Sequence, residues 1–569
     1  MQVTRGGALA VVPAVTVALF LLPIGAGLIG TLLPAFGYLP AIGGTTVSLD
    51  PWRRLFAYPG FATSLATTLV TGVAATMVSV ALAVGFCAVA HGSAIARRAG
   101  AWFAPVLATP HAAIAIGVAF LIAPSGWIAR ALSPWLTGWT LPPDVATVGH
   151  PSGWPLIACL VLKEVPYLVL MIVGALHQVP ASSQVALARS LGYGRIEGWI
   201  KVVLPQIYPQ IRLPIFAVLA FSLSVVDVAL ILGPGNPPTL AVLAVRWFAD
   251  ADIAFYFPAA AAACLSLAIV VAAIAAWRLA EIAVARLGRR WLARGGRAGL
   301  ATLASRIAHA LTLATLVASA LSLAGMLLWS IAAQWRFPSA LPDAWTLSNW
   351  TRQMAAIATP FFTTLVLGAL ATLLAVALTS GCLENEAQTR HQAGVRALWM
   401  LYLPLLVPQV AFLFGAQVLL IRAGLDGTLL ATLWAHLVFV LPYVFLSLAD
   451  PWRALDPRFA RSAASLGASP WRVFARIKLP LLIGPLLIAA AVGFAVSVGQ
   501  YLPTLFAGNG RVSTLTTDAV TLAAGADRRV IGVYAALQAL LPCVVYLAAV
   551  LIPRRRAAQV DAGRTGNRR

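Results

Sequence analysis

Charge is scarce in this chain of 569 residues, and acid is scarcest: 17 Asp and Glu stand against 39 Lys and Arg. Charged residues make up 10% of the sequence, hydrophobic ones 61%, and the mean hydropathy is +0.90. That balance excludes a water-soluble globule. Lysine occurs three times, at Lys163, Lys201 and Lys478, each after Leu or Ile. A P-loop needs its lysine directly after glycine so that the ammonium reaches the phosphates, so the chain has none. The five cysteines (Cys87, Cys159, Cys264, Cys382, Cys543) lie in apolar stretches without a CxxC pair, which excludes a disulfide framework and a thiolate metal site. The seven histidines are scattered with no HExxH spacing, and there is no GxSxG elbow. The chain is therefore expected not to be an enzyme and to hold no metal or cofactor of its own.

Long apolar runs dominate what is present. A helix crosses a bilayer with ~20 mostly apolar residues, and twelve such spans are expected, near 8–33, 62–90, 101–123, 154–175, 211–233, 257–277, 307–332, 360–382, 398–421, 428–449, 482–503 and 530–552. The expected fold is an all-α polytopic membrane protein. The net charge of +22 would suit nucleic acid, but the arginines gather in short loops between apolar runs, which points to a bilayer and not to nucleic acid. One set of alternate loops holds 28 Lys and Arg and the other set 10. The positive-inside rule then places both termini in the cytoplasm.

The sequence repeats in register. TTLVTGVAAT at 67–76 returns as TTLVLGALAT at 363–372, Pro110 and Gly117 as Pro408 and Gly415, and Pro166-Tyr167 as Pro442-Tyr443. The order is colinear, so the twelve spans form two tandem six-helix repeats, 1–277 and 307–552. The basic segment 278–306 links them, and a basic tail, 553–569, follows. The offset falls from 298 to 276 between the third and fourth spans, so the first half carries about 22 extra residues within 124–153.

The most informative repeat is ALARSLGYGRIEGWIKVVLP at 186–205 with RSAASLGASPWRVFARIKLP at 461–480. Ala188, Ser190, Gly192, Leu204 and Pro205 match Ala463, Ser465, Gly467, Leu479 and Pro480. In both copies the glycine precedes the proline by 13 positions. The pattern predicts a short helix, a bend at glycine and a second amphipathic helix, with proline opening the next span. It resembles the cytoplasmic coupling loop of permease subunits in binding-protein-dependent ABC importers (E-A-A-x3-G, then L-P). The leading glutamate is missing, Ala186 and Arg461 standing there. The resemblance implies a type I importer fold whose two loops dock on a separate cytoplasmic ATP-binding subunit, a dimer that binds ATP and Mg. It also implies a periplasmic or extracellular substrate-binding protein and a bacterial cytoplasmic (inner) membrane location. The branch it resembles carries thiamine or iron(III).

Polar groups within spans mark candidate pathway positions. Asp227 and Gln500 hold equivalent places in the fifth span of each half, where the resemblance implies a pathway lining; interhelical packing is the other reading. Lys163 and Glu164 are adjacent, about 100° apart on a helix, and cannot pair face to face. The segments around Asn236 and Asn509 read as loops, and the resemblance implies a gate or a binding-protein contact there. The alternative for the whole chain is a twelve-span secondary transporter driven by an ion gradient. That class would carry GxxxDRxGRR after its second span, where this chain has HGSAIARRAG.

Overall fold

The computed structural model describes residues 8–293, 295, 300–389, 394–525 and 527–566, and it is a helical bundle. Ten helices are long and apolar enough to cross a membrane, and two sharply bent pairs, Trp399–Leu406 with Gln409–Arg422 and Pro470–Leu481 with Ile483–Val498, raise the number to twelve. In the first half the spans are Val12–Ala35, Phe61–Ala90, the pair Ala94–Ala108 and His111–Ile122, Trp154–Leu176, Leu204–Ser224 and Tyr256–Ala293. In the second they are Leu300–Ser330, Ser348–Thr389, the pair Val395–Leu406 and Gln409–Arg422, Leu429–Arg453, Ile483–Val498 and a last helix from Arg528.

Three expectations need correction. The third and ninth spans are not continuous: they break at Pro110 and Pro408, whose backbones are extended (ψ 149° and 131°), and the ninth bends by 92°. Proline has no N–H for the helical ladder, and its ring crowds the preceding turn. The fifth and eleventh spans stop at Ser224 and Val498 instead of reaching 233 and 503. After two or three non-helical residues, short helices resume over Asp227–Leu232 and Leu502–Gly508. A small antiparallel hairpin, Ala332–Gln334 with Ala344–Trp345, interrupts an otherwise all-α design.

The sixth span outruns the bilayer. Its 38 residues extend roughly 57 Å at ~1.5 Å per residue, against a hydrocarbon core of ~30 Å. Residues 278–293 of the basic linker continue that helix, while 294 and 296–299 lie outside the described residues.

Packing between the halves is crossed. The first span lies on the ninth, where Gly27 and Gly30 face Phe412 and Gly415; a methyl group on Gly415 would collide with the Gly27 carbonyl. Reciprocally, the seventh span lies on His111–Ile122, and a methyl on Gly117 would come within 2.7 Å of the Ser322 carbonyl oxygen. Small residues bring backbones close where lipid supplies no hydrophobic drive between helices. Within each half a second-span threonine caps a later helix: Leu240 N–H donates to Thr68 Oγ1 and Leu515 N–H to Thr364 Oγ1, both at 2.9 Å.

The extra residues of the first half form a clasp on the side opposite the glycine-bearing loops. Arg130, in the short helix Trp127–Leu132, is buried and donates to the carbonyl oxygens of Ser125 (2.9 Å), Arg336 (2.7 Å) and Trp335 (3.2 Å). Its guanidinium also lies 5.1–5.6 Å from the ring centres of Trp329, Trp335 and Phe337. Charge-assisted bonds contribute about 1.5–3 kcal/mol each and stacked cations about 0.5–2 kcal/mol. Arg130→Ala should therefore destabilise the purified chain by on the order of 3 kcal/mol, read as a lower thermal unfolding midpoint in detergent. An unchanged midpoint would show that the clasp does not hold the halves together.

Candidate functional site

Both glycine-bearing loops fold into the same elbow. In the first, helix Ala181–Ser190 ends with Gly192 at φ +85°; in the second, Pro457–Ser465 ends with Gly467 at φ +81°. That left-handed backbone costs L-residues about 1–2 kcal/mol and glycine nothing. Each glycine closes the same pair of bonds. Gly192 N–H donates to Arg189 O (2.9 Å) and Tyr193 N–H to Ala188 O (3.1 Å). Gly467 and Ala468 donate likewise to Ala464 and Ala463, both at 3.0 Å. This is a Schellman cap, and it explains why the alanines recur: they supply its outermost acceptor and are buried in each helix. Ser190 and Ser465 each donate a 2.8 Å hydroxyl bond to the carbonyl three residues back.

Beyond the bend, Leu204-Pro205 and Leu479-Pro480 follow one wide turn each, Trp199–Val203 and Phe474–Lys478. There Leu204 N–H reaches back five residues to Trp199 O, and Leu479 N–H to Phe474 O. A π turn accommodates the proline ring and its missing donor. The expected separate second helix is thus the start of the fifth span itself. Arg195–Ser224 forms one membrane-length helix, whereas Pro470–Leu481 and Ile483–Val498 meet at 76°.

The elbows are anchored differently. In the first, Trp199 is fully buried, and a buried Glu197–Lys201 pair (3.0 Å) places the ammonium 4.3 Å from the ring centre of Trp291. In the second, Lys478 bonds Glu384 at 2.7 Å and Arg453 bonds Glu386 at 3.0 Å, tying the loop to the eighth span. Both tips turn apolar side chains outward: Leu191 is 60% exposed, Leu466 87% and Trp471 73%. Ala186 and Arg461, where the motif's acid would stand, are also exposed.

Between the halves, the fourth spans splint the broken helices. Lys163 donates all three ammonium hydrogens to carbonyls freed by the Pro110 break: Val106 (2.8 Å), Leu107 (3.3 Å) and Thr109 (2.5 Å). Its neighbour Glu164 faces the other side of the break, 3.5 Å from His111 Nε2. The pair therefore serves two partners, as their angular separation requires. In the second half Phe439 and Val440 stand at those positions, and the splint is His436. Its two nitrogens bond Ser497 Oγ (2.8 Å) and Thr504 Oγ1 (2.9 Å), bridging the gap after Val498.

Asp227 and Gln500 sit at those gaps rather than inside continuous helices. Asp227 starts its short helix, retains accessible surface and lies within electrostatic reach of His111. Gln500 is buried, its amide donating to Val496 O at 3.2 Å. The two asparagines differ: Asn509 adopts φ +44° and donates to Asp426 (3.1 Å), while Asn236 is exposed before Pro237. His436 and the capping role of Lys163 were not read from the sequence. Their signal was a hydrogen-bonding side chain, lysine or histidine, inside an apolar span.

The architecture is that of a polytopic transport protein. No family model matches the chain. It is 32% identical over 508 residues to the inner membrane ABC transporter permease protein YnjC of Escherichia coli K12, covering 89% of this chain and 91% of that one. It is 28% identical over 187 residues to a putative 2-aminoethylphosphonate transport system permease protein, PhnV of Salmonella typhimurium, covering 32% and 68%. With the molybdenum transport system permease protein ModB of Mycobacterium tuberculosis it shares 32% over 187 residues, covering 30% and 70%. The chain belongs to the ABC transporter permeases of the inner membrane. It is a multi-pass permease subunit of an importer and not itself an enzyme; ATP hydrolysis resides in a separate subunit.

Two substitutions test these assignments. Gly467→Ala should destabilise the second elbow by about 1–2 kcal/mol, because it forces a methyl residue into left-handed backbone while meeting no neighbour within 4 Å. Faster amide exchange across 461–480 would register it, with Gly484→Ala, also in open space, as the unaffected control. Lys163→Met leaves buried carbonyls unpaired and should cost on the order of 3 kcal/mol in thermal stability.

Proposed function

We propose that this chain supplies the whole translocation pathway of an ATP-driven importer from two fused permease repeats, 1–277 and 307–552. The linker 278–306, the tail 553–569 and both termini lie in the cytoplasm. The single observation that carries the reading is the pair of matched elbows: same Schellman cap, same wide turn, same proline, and apolar side chains aimed outward at each tip. A cytoplasmic ATP-binding subunit, acting as a dimer with ATP and Mg, grips one elbow in each half. A periplasmic binding protein delivers substrate on the opposite side, near Asn236 and Asn509.

The geometry supports a lever. In the first half the elbow continues without interruption into Arg195–Ser224, so drawing the elbows together tilts that helix as a rod. The tilt reaches the gap at Asp227, which with Gln500 of the other half lines the pathway, and the motion alternates access between its two ends. For the substrate, a thiamine-like small solute stands ahead of iron(III). The 2-aminoethylphosphonate and molybdenum systems named for two relatives mark how widely cargo varies among similar permeases.

The double variant Gly192→Trp, Gly467→Trp tests the coupling. At Gly467 the added ring points into open space, so it obstructs a docking partner rather than the permease core. The full chain should co-isolate with its ATP-binding subunit, and the double variant should lose that subunit or its transport-linked ATP hydrolysis. Normal uptake by the double variant would contradict the proposal.

A further inference from the structure

A cavity of about 320 Å³ opens beside the first elbow. Its floor is apolar, with Phe86 and Ala90 from the second span and Val173 and Leu176 from the fourth. Its rim carries hydrogen-bonding groups: His91, His177 and the first-turn serines of the elbow helix, Ser182 and Ser183. A methyl group on Gly92, another rim residue, would stand 3.8 Å from Arg195 Nη2, which brings that guanidinium to the same edge. Among the described residues, no Asp or Glu lines the space.

The second half supplies acids at the equivalent places. The register that pairs 67–76 with 363–372 sets Ala88 and Ala90 against Glu384 and Glu386. The register of Pro166 with Pro442 sets His177 against Arg453 and Pro180 against Asp456. In the second half Glu386 holds Arg453 at 3.0 Å, and Asp456 caps the elbow helix by accepting from Arg458 N–H at 2.8 Å. The first half keeps a nitrogen base at His177 and keeps the helix start, but alanine and proline replace both acids, and Pro180 provides no side-chain cap. The Lys478–Glu384 pair, by contrast, has lost both members, with Val203 and Ala88 in their places. Among the described residues Arg195 and His177 make no hydrogen bond through their side chains and no ion pair; the acid two residues beyond Arg195, Glu197, is engaged with Lys201. A rim of donors without an acid, over an apolar floor, suits an anion that carries an apolar group.

We propose that this cavity binds an amphiphilic oxyanion, a phosphate or carboxylate borne on an apolar group. The oxyanion sits between His177, Arg195 and the start of helix Ala181–Ser190, where the second half uses its own Glu386 and Asp456. The apolar group covers the floor at Phe86 and Leu176. An occupant ties the ends of the second and fourth spans to the elbow helix, and so stiffens the loop that, on the importer reading above, the ATP-binding subunit grips. A lipid headgroup and a soluble organic phosphate share this chemistry.

Amide exchange of the full-length chain in nanodiscs tests the site, with phosphatidylcholine alone as the reference bilayer. Two probes separate the sources: phosphatidylglycerol built into the disc, and phenyl phosphate added to the buffer. Saturation with at least one of them should slow exchange across 181–191 by about tenfold and leave 457–466 unchanged. A response to phosphatidylglycerol alone identifies a lipid, and a response to phenyl phosphate identifies a soluble ligand. Ala90→Glu, which restores the acid that the second half has, should slow exchange there without either probe and abolish the response. Arg195→Gln with His177→Gln should also abolish the response, by removing donors. No response to either probe, equal slowing of both elbows, or a response that survives the double substitution would overturn the proposal. The readout uses no ATP-binding subunit, so failure of that subunit to co-isolate would strike the importer reading and leave the anion site standing.

Discussion

Every backbone N–H and C=O that enters hydrocarbon must find a partner inside the protein, and this constraint orders the structure. A continuous helix satisfies it automatically. A permease, however, needs irregular backbone where its halves meet, and irregular backbone exposes polar groups that cost several kcal/mol each. The molecule resolves the conflict with side chains from the fourth spans. Lys163 gathers the carbonyls left by the Pro110 break, and His436 holds the two pieces of the interrupted eleventh span together. Both are buried polar groups with their hydrogen bonds satisfied, which is the condition under which such groups persist.

The splints belong to different repeats and solve the same problem at different breaks, so duplication has not kept the halves alike inside the membrane. At the elbows it has. The glycine cap, the serine bond, the wide turn and the proline are reproduced bond for bond, while the anchors behind them diverge into a buried Glu197–Lys201 pair in one and Lys478–Glu384 in the other. The tips match while their supports differ. The fused chain holds the elbows in a fixed relation through crossed first spans and, on the opposite side, through Arg130 seated among the aromatics of the other half.

The twelve spans and the elbows were legible in the sequence because they rest on local rules: apolar length, glycine at positive φ, proline at a helix start. Gly192 and Gly467 could be named from spacing alone. The interruptions were less legible. Proline flagged the third and ninth spans only ambiguously, since many membrane helices tolerate it, and the gap after Ser224 consists of ordinary β-branched residues, Val225 and Val226. Lys163 and Glu164 showed that they could not pair with each other but not which partners each would find. Those partners are long-range, at separations of more than fifty residues.

The central claim is that both elbows lie on one face of the membrane, the cytoplasmic one, with their apolar tips available to a partner. Leu191→Cys and Leu466→Cys, at the exposed tips, can be probed with a membrane-impermeant maleimide in intact and in permeabilised cells. The account predicts that both cysteines react only after permeabilisation and that added ATP-binding subunit then protects both. Labelling of either tip from outside intact cells, or of the two from opposite sides, would contradict it.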